Sequence, residues 1–143
     1  GTLTGVDAAL LWTLLNRSAI PVIAPVAVGE EYERLNVDGD LAAAMIAAQL
    51  GADMLVVLSN VPGLLRDVND PQSVVRGFSL DDIAHYEPLA QGRMKKKLLA
   101  AQHARVLRMI VAAAGGDDPL DAALAGGGTH IVCPVAEMEM PHA

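Results

Sequence analysis

Between Leu35 and Leu58 the chain passes without a linker from an acidic corner, Leu35-Asn36-Val37-Asp38-Gly39-Asp40, through an alanine-rich segment, Leu41 to Leu50, into an apolar run, Met54 to Leu58. Alanine is the best helix former and a following glycine the usual helix stop, so Leu41 to Leu50 is predicted to be a helix ended by Gly51. Met54 to Leu58 has the length and side chains of a buried strand. If the backbone is extended at the corner, Asn36, Asp38 and Asp40 project from one face. Gly39 lets the chain turn there, and Asp40 falls at the predicted helix start, where a carboxylate caps open N–H groups and meets the positive end of the dipole.

The same alternation runs through the rest of the chain. Asp7 to Asn16 places Ala8, Leu11, Trp12 and Leu15 at helical spacing, which predicts a helix of about three turns. Ile20 to Val28 is a nearly continuous apolar run with Pro21 and Pro25, expected to be a buried strand with its prolines at the start and at a bulge or end. Ser59 to Leu65 follows the Met54 strand as a loop at its carboxyl end, the edge where open α/β sheets place ligands. Residues 66–77 are polar, with Asn69-Asp70-Pro71 as a turn, and Ser79 with Asp82 approximates a capping box for a short helix to about His85. Gly92 to Leu107 reads as a longer helix, Met109 to Ala113 as a strand, Pro119 to Leu124 as a helix with proline in its first turn, and Thr129 to Val132 as a final strand after the glycine run. The predicted architecture is α/β, a mostly parallel sheet with helices on both faces. One domain is expected over 1–133, with 134–143 as a frayed tail.

Composition narrows the function. Of the 143 residues, 52% are hydrophobic, enough for one substantial core, while a net charge of −7 and an aromatic content of 3% argue against nucleic-acid binding. A lone cysteine, Cys133, forms no disulfide within the chain and fits a cytoplasmic protein. Gln49, Gly51 and Asp53 interrupt the most apolar span, which argues against a membrane segment, and the first residues lack the pattern of a secretory signal.

The alternating oxygens at Asn36, Asp38 and Asp40 resemble the opening of a calcium-binding EF-hand loop, but Leu41 stands where that loop needs glycine and Ala47 where it needs glutamate. The alternative reading is a helix cap and turn. The second charged feature is Gly92-Arg93-Met94-Lys95-Lys96-Lys97. Successive helical residues point about 100° apart, so the three lysines cannot converge on one ligand. One near the helix start could meet a polyphosphate beside free backbone N–H groups, while Lys95 or Lys96 is expected on a solvated face. The usual phosphate fingerprints are missing from the sequence, Gly126 to Gly128 reads as a turn, the four histidines have no metal-ligand spacing, and Ser59 has no evident base.

Taken in order and spacing, Asn36-Val37-Asp38-Gly39-Asp40, Leu58-Ser59-Asn60-Val61-Pro62-Gly63-Leu64-Leu65 and Gly92-Arg93-Met94-Lys95-Lys96-Lys97 resemble the amino acid kinase family. The resemblance covers Gly1 to about Ile131. It is nearest to the acetylglutamate kinases and to relatives acting on aminoadipate or glutamate attached to an amino-group carrier protein. It implies transfer of the γ-phosphoryl of ATP to a side-chain carboxylate, giving an acyl phosphate in lysine or arginine biosynthesis. By the same resemblance Lys97 stabilises the transferring phosphoryl group, Asp40 orients the catalytic lysines, and Asn36 binds the amino-acid substrate. Ser59, Asn60, Gly63, Leu65, Gly92, Arg93 and Met94 border the nucleotide. Mg²⁺ is implied to be held through phosphates and water, with no protein metal cage, and an acidic carrier is implied as partner, along with a homo-oligomer for the full-length form. Two departures stand out. Many relatives have aspartate where this chain has Asn60, and the match corresponds to the family's carboxyl-terminal half. The other half, with a glycine-rich loop and a second catalytic lysine, has no counterpart in these 143 residues, so this chain by itself is expected not to turn over.

Overall fold

A computed structural model describes residues 2–134. The predicted tail, 134–143, therefore lies almost wholly outside the described residues.

Helix α1, Ala8–Leu15, is opened by the Asp7 side chain, which accepts the Leu10 N–H. Strands β1, Val26–Val28, and β2, Arg34–Asn36, pair antiparallel as a two-stranded sheet. The corner then enters helix α2, Gly39–Leu50, which ends on Gly51 at φ +60. There the Gly51 and Ala52 N–H groups return to the Ala48 and Ala47 carbonyls, a Schellman closure that only a residue at ease in the left-handed region makes without strain.

The main sheet contains β3, Met54–Ser59, β4, Gly77–Ser79, β5, Arg108–Ala113, and β6, Thr129–Val132, in the order β3-β5-β6-β4. The β3–β5 and β4–β6 pairs are parallel and β5–β6 is antiparallel. Between β4 and β5 run a 3₁₀ turn, α3 over Ile83–Tyr86, a second 3₁₀ turn and the long helix α4, Arg93–Ala104. Helix α5, Pro119–Leu124, lies between β5 and β6, and Gly126 and Gly128, both at positive φ, carry the chain into the reversed last strand.

Strand β5 is buried on both sides. Met109 and Val111 join the main core with Ala44 and Ala47 of α2 and Leu98, Ala101 and Ala104 of α4. Ile110 and Ala112 face a smaller cluster with Val56 and Ala123 of α5. Helices therefore cover both faces of a mixed, mostly parallel sheet, as the alternation predicts.

Four local expectations change. Only Val26–Val28 of the Ile20–Val28 run is a strand, and it is not buried: Ile20 is 89% exposed and Val22 96%. Pro21 and Pro25 remove two ladder donors, and the main sheet does not reach this run. The α4 helix stops at Ala104, short of Leu107, because Arg105 takes a left-handed conformation at φ +47. Strand β4, Gly77–Ser79, falls between the end of the polar stretch 66–77 and the Ser79 cap, where no strand was expected, because three residues are too few to show an alternation. The cap of α2 is Asp38, not Asp40: Asp38 Oδ1 accepts the N–H groups of Asp40 and Leu41. Because the helix already begins at Gly39, the three alternating oxygens do not form one extended face.

Candidate functional site

Helices α2 and α4 lie side by side, and the residues between them are small. Ala44, Ala100 and Ala104 are fully buried, with Ala47 and Ala101 nearly so. Small side chains let two helix backbones approach closely, and here the approach brings the two N-terminal turns together. Asp40 Oδ2 accepts a hydrogen bond from Lys97 Nζ at 2.8 Å, and Asp38 Oδ2 accepts one from Lys96 Nζ at 2.8 Å.

The two ion pairs differ in setting. The Lys97 side chain is 9% exposed and that of Asp40 23%, against 60% for Lys96 and 24% for Asp38. A lysine sunk this far needs its carboxylate partner, whereas an exposed pair contributes little. Asp38 uses both oxygens, one on the α2 cap and one on α4. Its carboxyl is held below the ordinary range, first by the Lys96 hydrogen bond, opposed by partial burial and helped by the Leu41 N–H. Lys96, expected on a solvated face, is thus tied to Asp38 while still mostly in water. Lys95 is exposed, as that reading has it.

Beside Lys97 opens a cleft of about 290 Å³ lined by Ser59, Asn60, Val61, Gly63, Leu64, Leu65, Val68, Leu89, Gln91, Arg93, Met94 and Lys97. It lies where β3 ends and α4 begins, so one wall is the loop after the strand and the other is a helix N-terminus. Six of the seven expected nucleotide neighbours, Ser59, Asn60, Gly63, Leu65, Arg93 and Met94, are on its lining. The seventh, Gly92, immediately precedes α4 with φ +53 and ψ −122, a conformation that glycine alone adopts easily. Asp40 is not on the lining but grips Lys97, which is. Asn36 ends β2 on an exposed position and is also outside the cleft.

Sequence reasoning missed Val61, which lay within the loop motif but was given no role, and Val68, Leu89 and Gln91. Leu89 was discoverable as an apolar residue just before the basic cluster; Val68 and Gln91 carry no local signal, because only the folding of the 66–76 segment and the turn before α4 brings them in. Among the described residues there is no group of three or more His, Cys, Asp or Glu side chains able to hold a metal ion. Among them, too, no helix is long and apolar enough to cross a membrane.

An apolar wall, a lysine steadied by a carboxylate and a helix N-terminus can together hold a base and neutralise phosphate oxygens. The profile of the amino acid kinase family matches residues 1–110. The chain belongs to the amino acid kinase family. Among curated relatives, it is 46% identical over 123 residues to the LysW-aminoadipate kinase of Deinococcus radiodurans, covering 84% of this chain and 42% of that one. It is 44% identical over 134 residues to the enzyme of the same name from Thermus thermophilus, covering 90% and 50%. With the acetylglutamate kinase of Methanopyrus kandleri the identity is 39% over 106 residues, covering 73% and 43%. The chain thus spans about half the length of these relatives. The fold is shared with N-acetylglutamate synthase from Neisseria gonorrhoeae, at TM-score 0.77 and 23% identity over 92% of this chain and 32% of that one. It is shared also with Giardia lamblia carbamate kinase bound to AMP-PNP, at TM-score 0.65 and 21% identity over 90% and 50%.

Proposed function

We propose that residues 1–133 are the nucleotide-binding unit of an ATP-dependent carboxylate kinase, acting on aminoadipate or glutamate linked to an amino-group carrier protein. The observation that carries this reading is the Asp40–Lys97 pair at the edge of a cleft bordered by the β3 loop and the α4 N-terminus. The names of the relatives at 46% and 44% identity favour the carrier-linked substrate over free acetylglutamate. A cytoplasmic location fits such a biosynthetic role.

The chemistry follows from the charges. Phosphoryl transfer needs its reactants aligned and the charge on the γ-oxygens neutralised, with little covalent work from the protein. Lys97 Nζ supplies that positive charge at the cleft wall, and Asp40 holds it in one position by a charge-assisted hydrogen bond. The first turn of α4, which has no side-chain cap, adds the partial positive charge of a helix N-terminus, and Arg93 is its first residue. The apolar Val61, Leu64, Leu65 and Leu89 suit a flat base and exclude water from it. Asn36, near Asp40 in sequence and outside the cleft, is assigned to the acceptor on the family resemblance. Mg²⁺ would neutralise charge on the phosphate oxygens and would be held through the nucleotide and water, which does not require a carboxylate cluster among the described residues.

The test is capture of the product. Acyl phosphates react with hydroxylamine to give hydroxamates, so a polypeptide of the relatives' length containing these residues is incubated with Mg-ATP and each acceptor. Hydroxamate from carrier-linked aminoadipate or glutamate is expected; hydroxamate from free acetylglutamate alone would contradict the carrier reading. The competing reading is a nucleotide-binding module without catalysis, for which the cleft alone would suffice. Nucleotide binding with no acyl phosphate on any acceptor would establish it.

A further inference from the structure

Thr129 is a polar side chain in the middle of the core, 1% exposed, at the first position of β6. Because β6 runs antiparallel to β5, with Thr129 opposite Val111, its first residue arrives near the carboxyl end of β5, and β5 is parallel to β3 with Ser59 opposite Ala113. Thr129 is thereby delivered to the edge where the loop after β3 lines the cleft. Its Oγ1 accepts the Leu64 N–H at 2.8 Å. The Leu64 carbonyl accepts the Val75 N–H at 2.8 Å, so Leu64 is fixed through both of its backbone polar groups.

Two glycines make this approach possible. A Cβ at Gly63, where φ is +150, would stand 2.6 Å from Thr129 Oγ1 and 3.1 Å from the Thr129 nitrogen. A Cβ at Gly128 would collide with the Val111 carbonyl oxygen, so the strand could not seat against β5 in this way with a side chain there. Valine has nearly the shape of threonine and suits an apolar core better. What threonine adds at this place is an acceptor for a buried loop N–H, and buried backbone donors require one.

We propose that Thr129 is a positioning residue for the nucleotide cleft: its hydroxyl holds the Gly63–Leu65 turn in the shape that receives the nucleotide, before any nucleotide arrives. The inference rests on reading that cleft as the nucleotide site. Thr129 does not line the cleft and acts only through Leu64. A preset wall spares the ligand the cost of ordering the loop, so the effect is read as affinity.

The experiment titrates magnesium-AMP-PNP into the 143-residue chain and into Thr129→Val and Thr129→Ser, with melting temperature and amide exchange at Leu64 recorded for each. Thr129→Val is expected to weaken binding about tenfold and to speed exchange at Leu64, the loss of one hydrogen bond to a buried N–H. Thr129→Ser keeps the hydroxyl, restores affinity and slow exchange, and lowers only the melting temperature through its missing methyl. Should Thr129→Val not fold, Thr129→Cys, a much weaker acceptor, takes its place with the same expectation. Native affinity in the valine or cysteine variant, with binding by the unaltered chain, overturns the positioning role alone. Failure of the unaltered chain to bind AMP-PNP overturns the reading of the cleft and this inference with it.

Discussion

At the residue scale the two lysine–aspartate pairs have the same length and unequal weight. Lys97 is nearly buried, so Asp40→Ala strands a charge inside the protein and is expected to cost about 1–3 kcal/mol in urea unfolding. Lys96 stays mostly in water, and Lys96→Ala is expected to cost no more than about 1 kcal/mol. Equal losses would mean that the two pairs share one environment. Asp38 has a separate, pH-dependent signature. Its carboxyl is depressed in the folded protein by Lys96, so the pair stabilises at neutral pH and that contribution disappears as pH falls through the folded value, below the ordinary 3.8. Asp38→Asn keeps a capping oxygen and loses the ion pair. Its stability deficit, followed by urea midpoints, is expected at pH 7 and to vanish as the carboxyl of the unaltered protein becomes protonated in acid, below the ordinary range; a deficit independent of pH would assign it to the cap instead. Which carboxylate caps was not legible in Asp38-Gly39-Asp40, because a one-residue change in the helix start exchanges the two roles. Lys97 was named only through the family resemblance, because three consecutive lysines carry no local sign of which one turns inward. The structure puts Lys97 in the buried stripe with Met94, Leu98 and Ala101 and leaves Lys95 and Lys96 exposed.

At the element scale the site exists because α2 and α4 approach over alanines. Ala100→Leu, at a position with no free space, is expected to cost about 1–3 kcal/mol in urea unfolding and to part the Asp40–Lys97 pair. Leu99→Ala, on the exposed side of the same helix, should stay within about 0.5 kcal/mol, and a comparable loss there would remove the close-packing account. The elements themselves were readable wherever local chemistry decides them: Gly51 as the stop of α2, Pro119 in the first turn of α5, and the β3, β5 and β6 strands all lie where the pattern puts them. Ile20–Val28 was not readable in the same way. Its residues favour a buried strand, but pairing and burial depend on a neighbouring strand that local sequence does not specify. Similarly, the antiparallel turn of β6, which carries Thr129 to the cleft, follows from the Gly126–Gly128 reversal and leaves no periodic trace.

At the scale of the whole molecule, two surfaces contrast. The α2–α4 side carries the cleft, whereas the concavity lined by Leu10, Val22, Ile23, Val26 and Val28, with the exposed Ile20 just before Val22 in the chain, leaves large apolar groups in water. Such a patch promotes association, so the 143-residue chain is expected to self-associate with concentration in sedimentation, and Ile20→Lys with Val22→Lys to reduce this while changing stability by only about 0.5 kcal/mol each. Unfolding of those variants would show that the two residues are buried after all. The central claim is that Lys97, held by Asp40, meets the phosphates of a nucleotide seated against the β3 loop. Calorimetric titration of magnesium-AMP-PNP into the chain and its Lys97→Ala variant tests it most directly. Binding by the unaltered chain and a roughly 10- to 100-fold loss in the variant, the worth of one charged contact, is the predicted result. Equal affinity in the two proteins would contradict it.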